Sequence, residues 1–419
     1  MTMFASVQTA SVRILDRACL AALVLLLANM YLLRWRVLSD VVVTVVVLAA
    51  LLVLVAGAAK RALLADLALS LSLAALLLFA GAALAADVAL AEALTALHRL
   101  LLIGAFLIFG GALLERVRAT HVLALVFAAG ALGAALSVAL HLATAPMLSG
   151  RLEMLGRPWN PIPAAGAAAA AGLAGLALMR AAGAPVALRV ALGAGLIPIL
   201  AALALTQSRG PAIGFIAAAS VIMLKASRAT VLGALLSPIC FLGASSLVLI
   251  EAPLVRILCQ DQRFLCRPSM RLPLWERAVD LIVAHPVWGL GVGHRMGDDP
   301  FNNPQNALLA TAVYFGLPFL AAVLFAYARL LHRLARLEPR APQVWAAGMM
   351  VFSAVYYAFE PSPFAFYNAH WLFLWLPVAV ILGSAERGAA SADRSDPAAL
   401  LRSARDRGQF AGESGGLSG

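Results

Sequence analysis

The sequence predicts an all-α polytopic membrane protein, and three observations carry that expectation. Of the 419 residues, 63% are hydrophobic and only 12% are charged, about half the charged fraction of a typical soluble domain. The mean hydropathy is +0.94. Apolar runs of about 20 residues recur along most of the chain, each long enough as a helix to cross a hydrocarbon layer of about 30 Å. The first run has no small-residue cleavage site and further spans follow it, so it reads as a span and not as a cleavable signal. The formal net charge of +11 does not point to nucleic acid. The basic residues lie in short loops between spans, and membrane proteins place Lys and Arg on the cytoplasmic side for insertion reasons alone.

About twelve transmembrane helices are expected, at approximately 18–33, 38–59, 64–86, 97–114, 120–143, 162–179, 186–206, 211–224, 229–250, 305–331, 343–359 and 370–384. The organisation that follows is spans one to nine within 1–250, a large outer loop with short helices over 251–304, spans ten to twelve within 305–385, and a tail over 386–419. With the N-terminus inside, alternate loops carry Arg13 and Arg17, Lys60 and Arg61, Arg116 and Arg118, Arg180 and Arg189, and Lys225 and Arg228. The next inside loop carries Arg329, Arg333, Arg336 and Arg340. Short loops weigh most in the positive-inside rule, so both termini are expected to be cytoplasmic. Arg34 and Arg36 dissent: either they snorkel to an outer interface or the first span is set differently. The tail is rich in Ser, Gly, Asp and Arg without an apolar stripe and reads as disordered. The stretch "AAGAAAAAGLAGLAL" at 164–178 is low in complexity, and its small residues let helices approach closely.

The outer face holds the residues with chemistry. The loop from Glu251 to Pro304 contains an amphipathic stretch, "LWERAVDLIVA", with apolar residues at helical spacing. A glycine-rich turn, "GLGVGHRMG", follows it. Arg256, Arg263, Arg267, Arg271, Arg277 and Arg295 crowd the loop. Guanidinium forks grip phosphate at two points and keep their charge at any relevant pH, so the loop suits an anionic ligand at a membrane surface. The bland alternative pairs these arginines with lipid headgroups or with Glu251, Asp261, Glu276 and Asp280. A further arginine, Arg209, stands in "TQSRGP" between the apolar runs Val186 to Leu205 and Ala212 to Leu224. An ionisable group in that setting is a functional candidate by default. Trp159, Trp275 and Trp288 either stack on sugars or sit in an interfacial aromatic belt.

"TQSRGP" after a span resembles the Thr-x-Ser-Arg-Gly motif of the bacterial O-antigen ligase and polymerase superfamily. "RLPLW", Arg271 to Trp275, is similar to that family's Arg-x-x-x-Trp element, and "HPVWGLGVG", 285–293, to its His-Pro-x-x-Gly-x-Gly-x-Gly element. "RLEMLGRPWNP", 151–161, resembles its Arg…Gly…Asn-Pro segment. The resemblance covers roughly residues 150–330, in order and on one side. It implies an integral glycosyltransferase of the bacterial inner membrane, with 251–304 as its periplasmic loop. Such an enzyme moves a glycan from a polyprenyl diphosphate, typically undecaprenyl diphosphate, to a glycan or lipid A–core acceptor, with no metal and no cofactor. The resemblance gives Arg209 and Arg271 catalytic places, to which Gln305 and His294 are added as catalytic candidates, with Arg151, Ser208, Arg267, Trp275 and Asn306 binding substrate. Arginines then balance the diphosphate charge, and preorganised positive charge is usually the largest catalytic term.

One element departs from the pattern. The family's ligases carry His-Asn and then a glycine after nine residues, where this chain has Gln305, Asn306 and nine residues to Gly316. The ligases' following Thr-Asp is replaced by Pro318 to Leu320. An amide orients a hydroxyl but cannot act as a base. Gln305 therefore only positions the acceptor, or a nearby group (His294, Asp298, Asp299, Glu360 or His370) does the proton work, or activity is altered or lost. The competing function classes are a transporter or flippase of a lipid-linked or anionic substrate, and a non-catalytic assembly protein. Transporters tend to show repeated halves with broken helices near mid-membrane, whereas the polar residues here gather in one loop and the halves are unalike.

Cys19 and Cys240 lie in spans and read as small packing residues. Cys259 and Cys266, six residues between them, lie in the outer loop, where disulfides are permitted. Two cysteines without nearby paired histidines make a poor zinc site. A Cys259–Cys266 disulfide is expected, so alkylation without reductant should leave both residues unmodified; a mass increase on their peptide would show free thiols.

Overall fold

The computed structural model describes residues 17, 19–33, 103, 106, 107, 110, 113, 114, 117–144, 150–158, 160–181, 184–223, 271–291, 294–296, 303–360 and 371–383. The spans expected at 38–59, 64–86 and 229–250, the loop residues Arg267, Cys259 and Cys266, and the tail over 386–419 lie outside them. Every described element is helical. In chain order they are α1 (Cys19–Tyr31), α2 (Ala119–Thr144), α3 (Pro161–Met179), α4 (Val186–Leu205), α5 (Arg209–Met223), α6 (Arg271–Ala284), α7 (Ala307–Phe315), α8 (Leu317–Ala335), α9 (Ala341–Tyr357) and α10 (Trp371–Gly383). Helices α2, α3, α4 and α8, of 26, 19, 20 and 19 residues, are long and apolar enough to cross a membrane; α1, α5 and α10 are apolar but shorter.

Helix α3 is the hub. Asn160 caps it, its side-chain oxygen accepting the Ile162 N–H at 3.0 Å, and Pro161 follows at the first helical position, where a missing N–H costs nothing. Its alanines and glycines then leave room for neighbours on every side. A Cβ on Gly166 would meet the Phe373 ring at 2.5 Å, one on Gly172 the Phe215 ring at 2.9 Å, and one on Gly175 the Phe127 ring at 2.5 Å. Aromatic side chains from α10, α5 and α2 thus fill the places of absent methyls. Small residues at helix interfaces allow the close van der Waals contact that holds helices together in lipid. Two aromatic polar tips also end on α3: Tyr31 donates to the Ala167 carbonyl at 3.0 Å and Trp345 to the Ala170 carbonyl at 3.4 Å. The outer surface is apolar in stripes, with Leu132, Leu136 and Leu140 exposed along α2, and Val186, Val190, Ile197 and Leu200 along α4.

The helix directions sort the described basic residues into two ends. At one end α3 and α5 finish together, the Arg180 guanidinium donating to the Ile222 carbonyl. Arg118 before α2, Arg189 in the first turn of α4, Arg336 after α8 and Arg340 before α9 belong to that end. At the other end the segment 150–160 crosses the bundle. Its Arg157 N–H donates to the Asn29 carbonyl of α1 at 2.9 Å, its Leu155 N–H to Ser137 Oγ of α2 at 3.0 Å, and its Leu152 N–H to the Leu205 carbonyl of α4 at 3.0 Å. Arg151, Arg157, Arg209 and Arg271 lie at this end.

One expected span is corrected. The stretch 305–331 is not a single helix but α7 and α8, broken at Gly316, where φ is +84°. That backbone angle suits glycine and excludes helix continuation, and Pro318 has no N–H to continue the ladder. A Cβ on Gly316 would fall 2.0 Å from the Val287 carbonyl oxygen, so the break is where another segment abuts the backbone. The close crossing at Gly156 is testable. A Cβ there would lie 2.0 Å from the Met30 carbonyl oxygen, whereas Gly193 has nothing within 4 Å. Gly156→Ala should destabilise by roughly 1–3 kcal/mol or more, seen as a lowered melting midpoint in detergent. Gly193→Ala should leave that midpoint unchanged or raise it.

Candidate functional site

The site grows from the corner between α4 and α5. The chain leaves α4 at Leu205 and turns through Thr206 and Gln207, the latter at φ +51°. Ser208 then begins α5, its carbonyl accepting the Ala212 N–H at 3.2 Å, so Arg209 is the first helical residue. Arg151 braces this corner. Its Nε–H donates to the Thr206 carbonyl at 2.9 Å and its Nη2 to Ser208 Oγ at 2.8 Å. The Ser208 hydroxyl has the Pro161 carbonyl of α3 within reach at 3.2 Å and that of Thr206 at 3.3 Å. Three segments are pinned to one another: the 150–160 crossing, the start of α3 and the α4–α5 turn. The N-terminal end of α5 adds partial positive charge to that of Arg209.

Arg271, the first residue of α6, comes to the same place. Its Nη2 donates to the Phe359 carbonyl at 3.3 Å, and its guanidinium carbon lies 4.8 Å from the centre of the Phe359 ring. The Phe359 ring in turn rests on Gly210, where a Cβ would meet it at 2.7 Å. Gly210 follows Arg209, so the ring that Arg271 covers also packs on the first turn of α5, beside Arg209. Burial lowers the Arg271 pKa, the Glu360 carboxylate raises it, and the like charge of Arg209 lowers it. Those two charge effects place Arg209 and Glu360 each within electrostatic reach of Arg271. Glu360 is pushed up to about 7 by burial, with Arg271 pulling it down.

One turn further along α6, about 6 Å at 1.5 Å per residue, Trp275 donates its indole N–H to the Pro304 carbonyl at 3.0 Å. That bond fixes the segment carrying the next two residues. Gln305 sits at φ +50°, its backbone N–H and side-chain amide both donating to Asn303 Oδ1, at 3.0 and 2.9 Å. The buried Asn306 caps α7, its Oδ1 accepting the Leu308 and Leu309 N–H groups at 2.9 and 3.1 Å. Ala278 and Ile282 of α6 pack with Met296, Ala312 and Val313 as a small separate core that holds α6 against α7.

The structure therefore brings Arg209, Arg271, Arg151 and Ser208 together, with Trp275, Gln305 and Asn306 one helical turn away along α6. His294 lies in the turn after α6, its N–H donating to the Gly291 carbonyl. That turn is bonded to α7, with Leu290 and Gly291 donating to the Val313 and Tyr314 carbonyls. Asn306 and Asn160, read in sequence as motif residues, are both helix caps. Phe359 had no signal in sequence, because its part is played by a carbonyl and a ring face. Among the described residues no group of three or more His, Cys, Asp or Glu is arranged to hold a metal ion.

Residues 194–324 match the family model described as O-antigen ligase. The matched stretch contains Ser208, Arg209, Arg271, Trp275, His294, Gln305 and Asn306, and excludes Arg151 and Glu360. No curated protein matches the chain significantly. The Arg151 brace has a measurable consequence. Arg151→Lys keeps the charge but not the two-point hold, and should cost roughly 1–3 kcal/mol by detergent denaturation. Combined with Ser208→Ala it should be non-additive, with a coupling of about 1 kcal/mol in a double-mutant cycle.

Proposed function

With an O-antigen ligase domain over residues 194–324 as premise, we propose that the protein transfers a glycan from an undecaprenyl-diphosphate carrier to a glycan or lipid A–core acceptor. The observation that supports this reading is that Arg271 covers the Phe359 ring, which packs on Gly210 beside Arg209, so that the two arginine charges act on one another at one end of an apolar bundle. A diphosphate leaving group develops negative charge as the glycosidic bond breaks. Fixed guanidinium groups stabilise that charge without reorganisation, and most strongly where water is scarce. Arg209 and Arg271 hold the diphosphate, Arg151 and Ser208 keep Arg209 in place, and Trp275 and Gln305 border the acceptor. Arg267 belongs to the same substrate-binding set, and His294 stands at its edge. The reaction needs no metal and no cofactor, since the arginines supply the charge that a divalent ion would.

The reading places the protein in a bacterial inner membrane with twelve spans, cytoplasmic termini and the 251–304 loop in the periplasm. The arginine end faces that loop, where a lipid-linked donor presents its head group beside the bilayer.

Arg209→Ala should lower transfer from a purified polyprenyl-diphosphate-linked glycan by roughly 100-fold or more. Arg209→Lys should also fail, because an ammonium cannot make the two-point contact. Both variants should melt near the wild-type midpoint. Transfer at the wild-type rate by either variant would overturn the role of Arg209.

A further inference from the structure

Resting on the glycan-transfer reading, we propose that Glu360 is the base that takes the proton from the acceptor hydroxyl, and that a bound diphosphate strengthens it by occupying the charge of Arg271. Glu360 lies outside the stretch matched by the family model, so its assignment comes from its surroundings. It follows Phe359, whose carbonyl holds the Arg271 guanidinium and whose ring meets both that guanidinium and Gly210. Its backbone is therefore fixed beside Arg271, on whose charge its carboxylate acts. The other described carboxylates on this side, Glu153, Glu276 and Asp280, are exposed. The Gln305 amide accepts no proton, and the described bonds of the His294 turn run to α7.

Among the described residues, the charged and titratable groups that act with Glu360 are Arg271 from α6 and the phenols of Tyr356 and Tyr357 at the end of α9, the helix before it; Asp298, Asp299 and His370 lie outside the described residues. Arg209 of α5 acts on Arg271 in turn. In the free protein burial raises Glu360 and Arg271 opposes the rise, leaving it at about 7. A diphosphate on Arg209 and Arg271 cancels the opposing charge and adds negative charge nearby. Both changes raise proton affinity further, so the carboxylate accepts a proton more readily once the donor is seated while a smaller share of it is ionised at a given pH, and the kcat limb should lie at higher pH than the kcat/KM limb. In the step itself the acceptor O–H bond breaks and its proton goes to a Glu360 carboxylate oxygen. The acceptor oxygen bonds to the anomeric carbon as the anomeric carbon–diphosphate oxygen bond breaks. The electron pair leaves on the diphosphate, held by the two arginines, and Glu360 returns its proton to water after release.

Two measurements on the full-length protein test this. First, kcat/KM reports the free enzyme's ionisation, so in the wild type it should rise with pH to a plateau with a midpoint near 7. Glu360→Gln should lose that limb and fall by roughly 100-fold or more. Second, calorimetry with undecaprenyl diphosphate in detergent micelles, in two buffers of unlike ionisation heat, should show proton uptake by the wild type. Glu360→Gln should bind the lipid without uptake. Glu360→Asp, which keeps the carboxylate on a shorter arm, should keep the uptake, transfer more slowly and shift the midpoint; it decides the matter if the Gln variant does not fold. A wild-type rate and pH limb in Glu360→Gln, or an unchanged profile in Glu360→Asp, overturns the assignment and leaves glycan transfer standing. Wild-type protein that neither binds the lipid diphosphate nor transfers would instead sink the glycan-transfer reading, and this inference with it.

Discussion

In hydrocarbon, helices gain little by hiding apolar side chains from one another, so they are held by close contact, and α3 supplies it. Fourteen of its 19 residues are buried, nearly all of them alanine or glycine. Rings from three neighbouring helices stand where its side chains would be, and two aromatic donors end on its carbonyls. This contact fixes where α3 begins, and the site is built against that beginning. The Pro161 carbonyl lies within reach of the Ser208 hydroxyl, so the corner bearing Arg209 is referenced to a helix packed by neighbours along its length.

The arrangement also answers how permanent charges are kept at the rim of an apolar bundle. A buried guanidinium is costly unless its donors are used. Arg151 uses two on a carbonyl and a hydroxyl, and Arg271 uses one on a carbonyl and its face on a ring. These described partners are polar without carrying formal charge. Glu360, the carboxylate that pulls on Arg271, is pushed up to about 7 by burial, which lessens its opposition to the arginine charge at neutral pH.

Much of this was legible in the sequence because hydrocarbon permits few solutions. Apolar runs at 162–179 and 186–206 announce helices that fall at Pro161–Met179 and Val186–Leu205. The arginine in "TQSRGP" stood out because charge is rare in such company. The break at Gly316 was overlooked because "ALLATAVYFGLPFL" reads as one apolar run, although Gly316 and Pro318 together mark a helix boundary. What also ends it is the Val287 backbone arriving from another segment, a tertiary cause. The caps at Asn160 and Asn306 were visible as Asn-Pro and Gln-Asn, but local sequence does not separate a cap from a ligand contact. Phe359 lay beyond reach because any residue has a carbonyl, and only the fold decides which one meets Arg271.

The junction between the His285–Gly291 turn and the α7–α8 break is made almost wholly of main chain. Leu290, Gly291 and Leu317 donate to the Val313, Tyr314 and Pro286 carbonyls, while Gly289 and Gly316 each lie against the backbone of the opposite segment. Carbonyls that the broken helix would leave unpaired are thereby met by peptide groups from elsewhere in the chain. Seams of this kind are indifferent to which side chains adorn them. Beside the small core on which Leu290 also packs, this main-chain seam keeps α6, and the arginine at its head, in register with α7.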